Sequence, residues 1–197
     1  MKFLAILTLV LASIGFNSSH AIATCGQENL KNHGHYVGIM SGVNYYNLKH
    51  SRTRTSPGYY FGAITGYKFS NNIRVEIEAS YQRFHAKNSL AGASRNANSG
   101  SCMANYLFDF DPDFPIKPYF GCGIGYTQII VNYKYHTFDF LPKTELTHKI
   151  QGFACQAIIG LKYVICKGWE TSLDYRYCEI GKHFTQNKVG LTLTRYY

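Results

Sequence analysis

The sequence predicts an all-β protein: an eight-stranded antiparallel transmembrane β-barrel with lipid outside and a polar interior. Three observations carry this. Residues 73–84 alternate strictly, with Ile73, Val75, Ile77, Ala79 and Tyr81 on one parity and Arg74, Glu76, Glu78, Ser80 and Gln82 on the other. A period of two is that of a strand with one apolar and one polar face. The stretch also exceeds the usual soluble strand of about five or six residues, and it suits the roughly 9–11 that a tilted strand needs to cross a bilayer. The pattern recurs along most of the chain. No later window supplies the roughly 18–20 consecutive apolar residues of a membrane-spanning helix.

Composition agrees. Hydrophobic residues make up 46% of the chain, with 17 Tyr and 13 Phe, a supply of rings that suits aromatic girdles at two membrane interfaces. A secreted β-sandwich has the same composition, so the choice rests on the order of elements.

Residues 1–23 read as a secretory signal peptide: Lys2, an apolar run over 3–14, and Ala21-Ile22-Ala23 as a small-x-small cleavage site. Cys25 raises the alternative of a lipoprotein, but Thr24 stands where such signals want Gly, Ala or Ser. Residues 24–34 are polar and read as a short periplasmic tail; 35–197 form the barrel. Strand one spans 35–47, alternating Val37, Ile39, Val43 and Tyr45 against Gly38, Met40, Gly42 and Asn44. A basic loop follows. Strand two spans 58–69, strand three is the 73–84 stretch, and Ser70-Asn71-Asn72 turns tightly between them. Residues 85–100, rich in Ser, Asn, Gly and Ala, read as a mobile loop. Strand four spans 101–110, and the prolines at 112 and 115 keep the next stretch a turn. Strand five spans 118–131, followed by a long loop over 132–147. Strands six, seven and eight span 148–163, 169–178 and 187–197.

Links after strands two, four and six are short, and those after one, three, five and seven are mostly long. A sandwich has no reason to alternate in this way. Bacterial outer-membrane barrels do, with short periplasmic turns and longer outer loops.

The inward parity carries Lys68, Arg74, Glu76, Glu78, Asp109, Lys162, Glu170, Asp174, Arg176 and Lys188, five cations and five anions. Buried charges must be paired or hydrogen-bonded, so the expectation is a salt-bridge network that plugs the lumen. Aligning Tyr163 with Trp169 across the turn sets Lys162 opposite Glu170, while Lys68 lies diagonal to Glu76. Glu76 and Glu78 as an acid–base pair is the weaker reading, since neighbours two apart on one strand suit a network better. Gly121-Cys122-Gly123-Ile124-Gly125 lacks the following helix of a nucleotide loop; its glycines share the inward face of a narrow barrel. Arg83 and Arg195 take the lipid-facing parity near strand ends, where long side chains snorkel.

Six cysteines in an exported chain invite disulfides. Cys102, Cys122 and Cys155 take the lipid face and Cys178 the lumen, leaving Cys25 and Cys166 as the candidate pair at one barrel end. Six free thiols is the equal alternative. No Cys/His spacing of zinc type occurs; no metal or cofactor is expected.

Ser101-Cys-Met-Ala-Asn-Tyr-Leu-Phe-Asp-Phe110, followed by Lys117-Pro-Tyr-Phe-Gly-Cys-Gly-Ile-Gly-Tyr126, resembles the opacity/OmpA-like outer-membrane β-barrel family. The terminal Tyr197, preceded at alternate positions by Leu193, Leu191 and Val189, is similar to that family's C-terminal assembly signal. The resemblance implies a surface antigen of the bacterial outer membrane, non-enzymatic and adhesin-like, presenting four outer loops to host or environment. The alternatives are a small pore and a lipid A-modifying barrel enzyme. The only catalytic candidate is His183 with Thr185, and no carboxylate is set by sequence to orient the His. Lipopolysaccharide and outer-membrane lipid are the expected surroundings. Lys49, His50, Arg52 and Arg54 in the first loop form a candidate polyanion site for a host-surface anionic glycan or receptor, nucleic acid not being an expected ligand there.

Overall fold

The computed structural model describes residues 33–48, 57–87, 94–110, 115–134, 145–166, 168–181 and 184–197. Eight strands make one closed barrel in chain order: β1 (Gly34–Leu48), β2 (Gly58–Lys68), β3 (Ile73–Lys87), β4 (Ser94–Asp109), β5 (Ile116–Lys134), β6 (Glu145–Cys166), β7 (Trp169–Ile180) and β8 (Phe184–Tyr196). Every neighbouring pair is antiparallel, and β1 closes on β8. Closure gives every strand a paired neighbour on each side through the body of the barrel, the condition for a sheet to sit in hydrocarbon.

The apolar parity faces outward. Ile39, Phe61, Ile77, Ile124, Phe153 and Leu191 are all exposed. Tyrosines 45, 59, 81, 126 and 177 ring this band near the loop end. At the end holding the termini, Tyr67 meets His35 and Phe69, both at 4.9 Å between ring centroids, and Phe108, Phe110 and Phe120 form a cluster. Two such girdles mark the two faces of a bilayer. Arg195 lies over the rings of Trp169 (5.4 Å) and Tyr197 (5.3 Å), a long cation lodged among interfacial aromatics.

Three expectations are corrected. The strands run further into the expected loops: β3 continues to Lys87 and β4 begins at Ser94, so most of the Ser/Asn/Gly/Ala-rich stretch is ladder. Small residues there mark the crowded inside of the barrel, where Ala97, Ser99 and Ser101 are buried. β5 and β6 likewise pair up to Lys134 and Glu145. β6 meets β7 only from Ala154 to Cys166, so among the described residues β3 to β6 stand beyond the other strands as a wall.

Secondly, the interior is not uniformly polar. Its loop end is packed by Tyr46, Phe84, Met103, Ile129, Ile180 and their neighbours, and smaller apolar groups sit around Tyr36, Met40 and Tyr60 and around Leu107, Tyr119 and Ile158. A narrow barrel must fill its own centre, and rings and methionines do so alongside the charges.

Thirdly, Lys162 stands opposite Ser172, not Glu170. β6 runs on to Cys166 before a tight turn at Gly168 (φ +78°), with an irregularity between Val164 and Cys166. The register therefore shifts by two, which keeps every side chain on its predicted face but changes its neighbour.

Candidate functional site

The lumen charges come from alternate positions on strands that all lean inward. β3 contributes Arg74, Glu76 and Glu78, β7 contributes Glu170, Asp174 and Arg176, and β4, β6 and β8 add Asp109, Lys162 and Lys188. All of these are buried; Lys68 on β2 is half-buried. They divide into two centres.

The middle centre is built on Glu78. Its Oε2 lies 2.5 Å from Arg176 Nη1 and accepts from Gln156 Nε2 (2.9 Å) and Asn105 Nδ2 (3.2 Å); Lys188 Nζ stands 3.3 Å from Oε1. Glu76 accepts from Asn105 Nδ2 (2.9 Å) and the Tyr36 hydroxyl (3.1 Å), with Arg176 Nη1 at 3.9 Å. Asp174 accepts from Arg176 Nε (2.7 Å), Thr192 Oγ1 (3.1 Å) and Tyr119 (3.3 Å). A general base needs lone pairs aimed at a substrate. Here they are taken up by donors across the barrel, so the geometry favours a network over acid–base work. Above it, Gln82 Oε1 gathers the Tyr46 hydroxyl (2.7 Å), Asn44 Nδ2 (3.1 Å) and Gln186 Nε2.

The second centre lies at the terminal end. Asp109 Oδ2 is 2.6 Å from Lys162 Nζ and 3.6 Å from Lys68 Nζ, and Oδ1 accepts from Arg74 Nε at 3.0 Å. The Arg74 guanidinium lies 4.8 Å from the ring of Tyr119 and 5.9 Å from that of Tyr36. Glu170 accepts from the Tyr196 hydroxyl at 2.9 Å. The ion partner of Lys68 is thus Asp109, although Glu76 is its diagonal neighbour in the β2–β3 ladder.

Inward glycines give these side chains room. A β-carbon on Gly121, Gly123 or Gly125 would meet Leu107, Asn105 or Met103; one on Gly160 would meet the Tyr119 ring at 2.5 Å. Sequence reasoning placed Asn105 inward beside Asp109 but missed the neutral partners Tyr36, Tyr119, Gln156 and Tyr196. Their inward parity was the available signal, but tyrosines were credited to the girdles.

Other candidates fall elsewhere. Lys49, His50, Arg52 and Arg54 lie outside the described residues, as do Cys25 and His183. Cys166 is a half-buried free thiol, Cys102, Cys122 and Cys155 face lipid, and Cys178 is buried in the lumen. The Thr185 hydroxyl donates to the Asn47 carbonyl at 3.4 Å. Among the described residues no group of three or more His, Cys, Asp or Glu has metal-binding geometry.

A closed eight-stranded barrel, apolar outside and knit by charges inside, defines an outer-membrane β-barrel protein. The comparisons agree. The profile described as "Outer membrane protein beta-barrel domain" matches residues 9–195, and the chain belongs to that family. An outer membrane protein of Gluconacetobacter diazotrophicus is 27% identical over 171 residues, covering 81% of this chain and 45% of that protein. The chain thus spans about half the length of this curated relative. Neisserial surface protein A has the same fold at TM-score 0.62 and 18% identity, covering 83% of this chain and 97% of its own. The attachment invasion locus protein of Yersinia pestis, Ail, solved with the heparin analogue sucrose octasulfate, gives TM-score 0.55 and 14% identity over 82% of this chain and 99% of its own. The protein's place is the bacterial outer membrane.

Proposed function

We propose that this protein is a non-enzymatic surface barrel of adhesin-like type, acting through the end that carries the long connections. One observation carries the reading: the lumen is filled by its own side chains. Tyr36, Tyr46, Tyr60, Met40 and Lys188 are all at most 2% exposed within it, and the carboxylates are occupied by donors. Among the described residues a lumen so filled leaves little room for solute, which disfavours the pore and favours work at the surface. The wall formed by β3 to β6 extends that surface beyond the girdle.

The partner class supported best is an anionic glycan. Lys49, His50, Arg52 and Arg54 fall within six residues of the first loop, with no acidic residue between Asn44 and Pro57, and such a cluster concentrates positive potential toward polyanions. The heparin-analogue complex of Ail supports the same class by likeness of fold. Secretion through a signal peptide at 1–23 belongs to this reading.

The test replaces Lys49, Arg52 and Arg54 together with Gln and follows retention on heparin over a salt series. Reduced retention and a shallower salt dependence are expected, because fewer charges are screened. Unchanged retention and slope would sink the loop as a site.

A further inference from the structure

The wall of β3 to β6 changes character where it leaves the girdle. Its exposed outward rings end with Tyr81, Tyr126 and Phe153, the last two packed edge to face at 6.3 Å. Beyond them the outward positions carry Arg83 on β3, Asn98 on β4, Gln128 on β5, and Gln151 and Lys149 on β6. The inward positions of the same segments change in the opposite sense. Phe84, Ala97 and Ile129 are buried in the loop-end cluster, with Ile150 packed against it. A strand that exchanges rings for polar groups on its outer face is passing from hydrocarbon into the headgroup layer.

The two cations belong to one row. Arg83 pairs with Asn98, Asn98 with Ile130, and Ile130 with Lys149. Three ladder steps of about 4.8 Å set them roughly 14 Å apart, and the tilt of the strands carries Lys149 further out than Arg83. Both side chains are exposed, and among the described residues neither has an ionic or hydrogen-bond partner. On the outer parity of the wall the acidic residue is Glu145, four residues beyond Lys149 and opposite Lys134 in the ladder. Asn98, half-buried in the same row, has an amide oxygen without a hydrogen-bond partner.

We propose that this outer face, immediately beyond the ring band, binds the phosphorylated sugar headgroup of an outer-leaflet glycolipid of the lipid A class. Arg83 and Lys149 take its phosphates, and Asn98 and Gln151 take its sugar. Snorkelling alone would bring such cations to any phosphate of the interface. A bisphosphorylated sugar offers more. Its phosphate oxygens suit the guanidinium fork of Arg83 and the mobile ammonium of Lys149, and its span lets one molecule engage both. Its hydroxyls supply the donor that the Asn98 amide lacks within the barrel. Tyr81, Tyr126 and Phe153 then lie against the upper acyl chains.

The experiment uses the full chain in phosphatidylcholine nanodiscs, with lipid A titrated in and phosphatidylglycerol at matched charge as the comparison. Each variant's thermal midpoint is read relative to its own value in phosphatidylcholine, and lipid retained after detergent extraction is measured by mass spectrometry. A saturable rise with lipid A, and its co-purification in a fixed ratio to the chain, are expected. Arg83→Gln with Lys149→Gln should weaken the apparent affinity by about tenfold or more, the loss expected on deleting a charge-assisted hydrogen bond. Arg83→Lys with Lys149→Arg, which keeps both charges, should retain most of the response, and dephosphorylated lipid A should give little. An equal response to phosphatidylglycerol reduces the patch to a general anionic interface and overturns the proposal, as does an undiminished response in the double Gln variant. Replacing Lys49, Arg52 and Arg54 with Gln should leave lipid A retention unchanged. Loss of retention there, with retention kept in the Arg83 and Lys149 variant, assigns the lipid to the first loop and overturns this site.

Discussion

Asp109 shows how much one side chain carries in a lumen of this kind. Three cations share its two oxygens, so Asp109→Asn takes from the buried Lys162 and Arg74 the carboxylate they hold at 2.6 and 3.0 Å. Breaking a buried ion pair from one side typically costs about 3–5 kcal/mol. Urea unfolding of the refolded variant in lipid should show a loss of that order; a midpoint unchanged from wild type would mean that groups other than Asp109 neutralise these cations. Gly160 makes the steric counterpart. The Tyr119 ring lies 2.5 Å from where its β-carbon would be, so Gly160→Val should destabilise by the roughly 1–3 kcal/mol of an overpacked core. The double variant with Tyr119→Ala should recover part of that loss, and failure to do so would place the cost in the backbone rather than in the ring.

At the scale of the strand, the β6–β7 hairpin decides which charges meet. Residues 162 and 170 face the lumen in either register, but only the observed one sets Ser172 across from Lys162 and leaves the ammonium on Asp109 at 2.6 Å. A double-mutant cycle should therefore give a larger coupling for Lys162 with Asp109, of about 1 kcal/mol or more, than for Lys162 with Glu170. The reverse order would restore the register that sequence alone suggested. Strand facing makes a separate prediction through the thiols. In bilayers, Cys102, Cys122 and Cys155, facing hydrocarbon, and Cys178, packed inside, should all resist a charged, water-soluble maleimide and react once the chain is unfolded in urea. Rapid labelling of Cys178 would require the side chains packed around it to move aside.

The whole molecule brings these together as a closed barrel whose lumen, among the described residues, is packed with side chains. Refolding should succeed in detergent or lipid and give a circular dichroism spectrum of β type; substantial helix, or a soluble monomer without amphiphile, would contradict the architecture. In planar bilayers the protein should be electrically silent, since Tyr36 and Tyr60 fill the interior beside the charged centres and the cluster around Tyr46 fills the loop end. Stable conductance of porin size would require those rings to move aside.

Much of this architecture was legible in the chain itself. Alternation assigned each side chain to lipid or lumen, because the two faces of a strand follow from a period of two and from nothing else. All ten inward charges, the three lipid-facing cysteines and the crowded glycines of β5 follow from that parity. Strand ends did not, because a ladder continues as long as its neighbours do. Ser94 to Gly100 pairs on both sides despite a composition suited to a loop. Nor did partners across the barrel. Glu78 meets Gln156, Arg176 and Lys188, all far along the chain, and parity contains no information on which inward residues share a level. Only closure at a particular register sets those levels. It thereby decides that Asp109 gathers three cations while Glu78 balances two.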